Sequence, residues 1–135
     1  RWYRAAAWYS GGHSSPVNEK RMRLADSNTV DFLSVEKGSG VIVLTLLDDF
    51  EGDDEIQRMA LVQRKVNRYF DYFESGEVYD ELDRESDRKV PRNTPVRISI
   101  VAKKDLPGEG QRFLQYLAMV AKDAGVGFSF KVVPP

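Results

Sequence analysis

The sequence that decides the fold lies at residues 53–76 and reads DDEIQRMALVQRKVNRYFDYFESG. Its apolar side chains recur at three- and four-residue steps and share one stripe of a helix: Met59, Val62, Val66, Tyr69 and Phe73. Acidic residues begin the stretch, where the helix dipole favours negative charge, and Gly76 can end it in a left-handed conformation. Each buried side chain of this stripe contributes about 1.5–3 kcal/mol. We therefore expect a long amphipathic helix that packs on a sheet and anchors the core.

Four segments around this helix have the residue pattern of β-strands. Residues 30–35 and 41–47 flank a Lys37-Gly38-Ser39-Gly40 turn and predict a hairpin. The second of them is nearly all apolar, which indicates a central strand buried on both faces. Residues 96–102 alternate apolar and polar side chains, as a strand with one buried face does. Residues 128–133 predict the last strand.

The remaining connections predict one loop and a second helix. Residues 78–93 are densely charged, and we expect a mobile surface loop there, with or without a helical turn. Residues 107–124 predict a helix that ends before Gly125. Its apolar stripe consists of Phe113, Leu117, Val120, Ala121 and Ala124.

The order β-β-α-β-α-β predicts an α/β fold, a two-layer α+β sandwich with a mixed four-stranded sheet. Right-handed crossovers place both helices on one face of that sheet, and the order of the strands stays open. We expect the other face to be polar on strands three and four and apolar around Leu33, Val35, Val41 and Val43. A homodimer contact is the favoured cover for this apolar patch, and the N-terminal arm is the alternative.

Composition and charge exclude several classes of protein. The 135 residues, 41% hydrophobic and 30% charged, fit one globular domain with a net charge of −1. The absence of cysteine excludes disulfides, thiol catalysis and zinc–thiolate sites. No apolar run reaches the roughly 18–20 residues of a membrane span. We expect a cytoplasmic protein that has no membrane partner and no cofactor.

The N-terminal segment differs in charge from the rest of the chain. Residues 1–23 carry a net charge of +4, and the remaining residues carry −5. We expect residues 1–26 to form a flexible arm or an added leader before a single domain at 27–135, with Met22 as a candidate natural start. One alternative is a short docking helix formed by the aromatic residues Trp2, Tyr3, Trp8 and Tyr9. A less favoured one is nucleic-acid binding by these aromatic residues together with Arg1 and Arg4.

The densest group of polar residues follows the second strand. Ligands of open α/β sheets favour the carboxyl ends of parallel strands, where Asp48, Asp49 and Asp105 should meet beside Lys103. Carboxylates are suitable ligands for a hard divalent cation, although the spacing is not that of a calcium loop. A solvated acidic loop is the plainer interpretation, so these four residues are candidate binding residues and no metal is assigned.

Other catalytic patterns are missing from the sequence. His13 is the only histidine and lies in a glycine- and serine-rich segment, where a general base has no fixed position. Neither a phosphate-binding glycine motif nor a nucleophile elbow is present. The polar residues of the long helix are expected to form a solvated face: Arg58, Lys65, Arg68 and Asp71.

Three segments resemble a group of short bacterial proteins of unknown function. These segments are Thr29-Val30-Asp31-Phe32, Val43-Leu44-Thr45-Leu46 leading to Asp48, and Gln63-Arg64-Lys65-Val66-Asn67-Arg68-Tyr69 followed by Glu74-Ser75-Gly76-Glu77. The resemblance covers residues 28–133 and implies a bacterial, cytoplasmic, single β-β-α-β-α-β domain. It implies no activity, so no catalytic residue is assigned from it.

The favoured hypothesis is a small non-enzymatic module that interacts with or regulates another protein, and that can form a homodimer. The alternative is a divalent-metal-dependent enzyme that uses Asp48, Asp49 and Asp105 at the carboxyl edge of the sheet.

Overall fold

The strands and helices follow the predicted order, with one helix more than the sequence indicated. The computed structural model describes residues 23–133, so most of the predicted arm lies outside the described residues. A short 3-10 turn, Arg23–Ala25, comes first. The other elements are β1 (Phe32–Val35), β2 (Ile42–Asp48), α1 (Glu55–Glu74), α2 (Glu77–Ser86), β3 (Val96–Ala102), α3 (Glu109–Ala124) and β4 (Gly127–Val132).

The strands form one mixed sheet in the order β1-β2-β3-β4. β1 runs antiparallel to β2, whereas β2, β3 and β4 are parallel to one another. α1 contacts β2, α3 contacts β4, and the two helices contact each other. Both helices therefore cover the same face, and the predicted α+β fold class is confirmed.

The core lies between this helix layer and the two central strands. Leu44 and Leu46 of β2 and Ile98 and Ile100 of β3 are completely buried under the helices. The stripe predicted for α1 is buried from Met59 to Tyr69, and Phe73 packs against its edge. α1 begins after Asp54, whose carboxylate accepts a hydrogen bond from the backbone N–H of Gln57 at 3.0 Å.

The prediction of a loop at residues 78–93 is wrong over its first half, where α2 forms. Val78, Tyr79 and Leu82 face the core at helical spacing and are buried. Gly76, with φ +82°, lets the chain change direction between α1 and α2. The charged residues lie on the outer side of α2, so a short apolar stripe was hidden in a mostly charged sequence.

The prediction for the open face of the sheet is wrong for β1. Leu33 lies opposite Leu44 and Val35 opposite Ile42, so both point towards the helix layer. The four-residue turn between Glu36 and Val41 pairs odd-numbered residues of β1 with even-numbered residues of β2. A shift of one residue moves every side chain of a strand to the other face. Val43 lies on the open face as predicted, and Phe32, Ser34 and Thr45 of this hairpin lie beside it.

The 3-10 turn belongs to the folded core. Leu24, which the sequence placed in the arm, is completely buried and packs with α1 and β2. Asp49 fixes the turn by accepting hydrogen bonds from the backbone N–H groups of Arg23 and Leu24, at 2.8 and 3.0 Å. Every helix within residues 23–133 is too short or too polar to traverse a lipid bilayer.

Candidate functional site

β1 is one outer strand of the sheet, and part of its backbone faces away from its neighbour. The N–H of Glu36 donates to the carbonyl oxygen of Val41 at 2.8 Å. Because hydrogen-bonded and non-hydrogen-bonded residues alternate along an antiparallel strand, this bond fixes which residues of β1 bond to β2. Ser34 and Phe32 consequently bond to β2, whereas the N–H and C=O groups of Leu33 and Val35 point outward. In the described part of the chain no other strand pairs with this edge.

The side chains of β1 are also available for contact. Phe32 is 51% exposed and Val35 is 52% exposed, and β1 contains no charged residue. The guanidinium of Arg23 lies 5.6 Å from the centre of the Phe32 ring. A short uncharged strand with two exposed apolar side chains lacks the charges by which proteins protect an outer strand from pairing.

A groove of about 400 Å³ lies between this edge and α2. One wall is formed by residues 29–33, and the opposite wall carries Arg68, Tyr72, Glu77, Glu81 and Glu85. The three glutamates recur every four residues of the helical segment and therefore share one face of α2. Within residues 23–133, three carboxylates against one guanidinium make that wall acidic.

Two of these glutamates already have polar neighbours. The Tyr72 hydroxyl donates to Glu81 Oε1 at 2.5 Å, and Arg68 Nη2 lies 3.5 Å from Glu77 Oε2. Burial raises the pKa of the Tyr72 hydroxyl, and the hydrogen bond to Glu81 raises it further. Tyr72 therefore stays protonated and remains a donor to Glu81 throughout the neutral range. Glu85 has no ion-pair partner among the described residues.

A buried polar network holds the start of β1 in place. Lys65 Nζ lies 2.7 Å from Asp31 Oδ1 and also donates to the carbonyl oxygen of Arg23 at 2.7 Å. Asp31 Oδ2 accepts the backbone N–H of Leu47 at 2.8 Å. These bonds join α1, the 3-10 turn and β2 at the residue that precedes β1.

Tyr69 adds a second link to the same place. Its hydroxyl accepts the backbone N–H of Asp31 at 2.8 Å and donates to the carbonyl oxygen of Thr45 at 2.6 Å. Burial raises the pKa of this hydroxyl far above its ordinary value, so it remains a donor. The edge strand therefore emerges from a rigid attachment point.

The prediction that Arg58 and Lys65 lie on a solvated face is wrong, because both are buried. Arg58 Nε donates to Asp48 Oδ2 at 2.8 Å, and its other nitrogens donate to the carbonyl oxygens of Asp105 and Lys104 at 2.7 and 2.6 Å. The seven-residue spacing of Arg58 and Lys65, each directly before a residue of the apolar stripe, was the signal in the sequence. Two acidic residues at strand ends, Asp48 and Asp31, supply the partners.

The structure brings Asp48 and Asp105 to the same edge, as expected, but Arg58 lies between them. The guanidinium bonds the Asp48 carboxylate and the Asp105 backbone carbonyl, whereas the Asp105 carboxylate accepts from the N–H of Leu106 at 2.8 Å. Burial raises the pKa of the Asp48 carboxyl, and the hydrogen bonds from Arg58 oppose that rise.

The other two predicted residues lie further out. Asp49 is used in fixing the 3-10 turn, and Lys103 Nζ lies 3.7 Å from Glu51 Oε2 at the surface. Within residues 23–133, no three acidic, histidine or cysteine side chains are grouped so that they can hold a metal ion. The assignment of these four residues to a binding site stays a prediction.

A larger cavity, about 630 Å³, lies at the junction of α1 and α2. Its lining includes Phe73, Tyr79, Asp80 and Arg92. Arg92 is already paired with Asp80 at 3.0 Å and with Asp83 at 2.8 Å, and it lies over the Tyr79 ring. The described residues of this cavity thus offer no unpaired cation to a ligand.

The comparisons with known proteins identify a family and no activity. A search of curated proteins and of solved structures finds no significant match to the chain. A family match covers residues 22–134, which include every strand and helix described above. It confirms the resemblance to proteins of unknown function, whereas bacterial origin stays a prediction. The chain belongs to the family of unknown function designated DUF6572.

Proposed function

We propose that this protein is a non-enzymatic protein-interaction module, and that its outer strand β1 pairs with an extended segment of another protein. The observation that carries the proposal is the outward-facing backbone of Leu33 and Val35 beside the exposed side chain of Phe32. Strand addition of this kind supplies main-chain hydrogen bonds for affinity and side-chain contacts for specificity. A cytoplasmic location is part of the same proposal.

The opposite outer strand is a weaker candidate for pairing. β4 includes Lys131, and charged residues of this kind discourage pairing at an edge. β1 has no such charge, and it has a groove beside it in which partner side chains can lie. The attachment of Asp31 to Lys65 and Tyr69 keeps the position of β1 fixed before a partner arrives, which lowers the entropy cost of binding.

The proposal is tested by blocking the outward backbone at one position. Val35→Pro removes an N–H that points away from β2, so it costs no ladder bond within the sheet. Val35→Thr keeps that N–H and is the matched control. The full chain and both variants are used to capture proteins from a lysate of the source cells, and captured proteins are then purified and tested for direct binding. We expect a partner that binds the full chain and the Val35→Thr variant but does not bind the Val35→Pro variant. A partner that binds all three equally would contradict the proposal.

A homodimer through β1 is the main competing arrangement, because a second copy of β1 can pair with the first. Light-scattering mass of the full chain and of a version that starts at Met22 distinguishes the two. If the full chain and the shorter version are both monomers, β1 is free to pair with a different protein. A dimer that Val35→Pro converts to a monomer would replace the proposed partner with a second copy.

A further inference from the structure

We propose that the segment recognised by β1 carries a lysine or arginine at every second position, and this inference rests on the proposed function. It concerns the chemistry of the partner, which the edge alone does not specify. The acidic wall of the groove, formed by Glu77, Glu81 and Glu85 of α2, supplies the specificity.

The register of β1 determines which partner side chains reach this wall. Residues that lie opposite each other in paired strands point to the same face. Leu33 points towards the helix layer and lines the groove, so a partner residue opposite Leu33 points towards α2. The residues before and after it point to the open face, where Phe32 is exposed. A partner with alternating basic and apolar residues therefore places its basic side chains beside α2 and its apolar side chains beside Phe32.

The spacing of the glutamates suits an extended partner. Carboxylates four residues apart on a helix are separated by about 6 Å along its axis, and alternate side chains of a strand are separated by about 6.7 Å. The two spacings match, so a strand that runs along α2 in this groove can place successive basic residues beside successive glutamates.

The charges of the wall are available for such a partner. Glu81 accepts from Tyr72 through one carboxylate oxygen, Oε1, and Glu85 has no ion-pair partner within the part of the chain that the structure describes. Arg68, the one basic residue of the wall among those that the structure describes, is near Glu77 and also donates to the carbonyl oxygen of Asn28 at 3.1 Å. Basic partner residues are thus directed towards Glu81 and Glu85.

The inference is tested with synthetic peptides and the full chain. The probe alternates lysine and valine and carries a dye; one control has the same composition with the lysines in a block, and another has glutamate in place of lysine. Binding is measured by fluorescence anisotropy, and the binding position by NMR shifts of the backbone amides of Leu33 and Val35. We expect the alternating lysine peptide to bind at least about tenfold more tightly than either control. We also expect its affinity to fall as salt rises, because the contacts are exposed ion pairs.

Variants of α2 test whether the peptide is recognised by its alternating basic pattern or is only attracted to an acidic protein. Replacing Glu81 and Glu85 together by glutamine should weaken the alternating lysine peptide by about tenfold. Glu109→Gln, which removes an exposed carboxylate of α3, should leave the affinity unchanged. Thermal melts confirm that both variants fold. Equal binding of the block peptide, or shifts that avoid Leu33 and Val35, would overturn the inference.

This experiment can fail without the proposed function failing. If the peptides do not bind but the Val35→Pro variant still fails to bind a captured partner, the proposal of strand addition is kept. The inference that the partner carries alternating basic residues is then wrong. If the Val35→Pro variant still binds every captured partner, the proposed function is itself wrong.

Discussion

Lys65 Nζ lies 2.7 Å from Asp31 Oδ1, and neither side chain has any exposure to solvent. This ion pair joins the middle of α1 to the residue that precedes β1, so the long helix fixes the start of the outer strand. Breaking a buried pair by removing one partner leaves an uncompensated charge, which costs about 3–5 kcal/mol. The pair therefore links the stability of the fold to the position of its proposed binding edge.

Lys65→Met should lower the free energy of unfolding by about 3–5 kcal/mol, because Asp31 stays buried and keeps only the more distant Arg23 guanidinium, 3.6 Å away. Denaturant unfolding followed by circular dichroism measures the change. Lys103→Met, which affects only an exposed contact with Glu51, should change the free energy by less than about 1 kcal/mol. Equal effects of the two substitutions would show that the Lys65 pair does not stabilise the start of β1.

Tyr69→Phe should lower the free energy of unfolding by about 2 kcal/mol, because the N–H of Asp31 loses its partner and the C=O of Thr45 loses one of its two. Tyr79→Phe is the matched control, since its hydroxyl makes a single bond, 2.9 Å long, to the carbonyl oxygen of Thr94. It should cost about 1 kcal/mol. The same unfolding assay applies, and a larger loss for Tyr79→Phe than for Tyr69→Phe would contradict the role given to Tyr69.

The metal hypothesis for Asp48, Asp49 and Asp105 has a direct test in thermal melts. Arg58 already occupies the position between Asp48 and the backbone of Asp105, so we expect Mg²⁺, Mn²⁺ and Ca²⁺ to leave the midpoint of unfolding unchanged. A ligand that binds only the folded state raises that midpoint. A rise in one metal that Asp48→Asn abolishes would move the assignment from an interaction module to the metal-dependent alternative.

The pair of Arg97 and Glu36 predicts a pH effect at the hairpin. Hydrogen bonds from Arg97 Nη2 at 2.8 Å and from Ser39 hold the pKa of the Glu36 carboxyl below its usual value. A lowered pKa in the folded state stabilises the protein above the unfolded value of about 4.3. That stabilisation is lost as the pH falls through the folded value.

Arg97→Gln should therefore raise the pKa of Glu36 towards its usual value, as measured by an NMR titration of its carboxyl carbon. Arg112→Gln is the control, because that guanidinium lies beside Glu109 on α3. A Glu36 pKa that is the same in both variants would show that Arg97 does not hold it.

The regular spacing of apolar residues explains which helices and strands could be predicted from the sequence. The ends of α1, β2, α3 and β4 lie within two residues of those expected, because each has a long regular apolar pattern. α2 was missed because Val78, Tyr79 and Leu82 form only a short stripe among charged residues. The face of β1 was assigned wrongly because it depends on the turn between Glu36 and Val41, which sequence spacing did not determine.

The buried charges were beyond sequence reasoning for a different reason. Arg58 and Lys65 look like surface residues of a helix until Asp48 and Asp31 are placed opposite them by the fold. The acidic groove has the same origin, since residues 29–33 and the three glutamates of α2 are more than forty residues apart in the chain. Two of its glutamates, Glu81 and Glu85, lie in the segment that was expected to be a loop.

Amide hydrogen exchange along β1 in the full chain tests the central claim most directly. If the outer edge is free, the N–H groups of Phe32 and Ser34 should exchange slowly and those of Leu33 and Val35 quickly, because only the first two bond to β2. Alternating protection of this kind would establish that β1 offers its backbone to a partner. Equal slow exchange at all four residues would mean that the edge is already covered in the free protein, and would contradict the account.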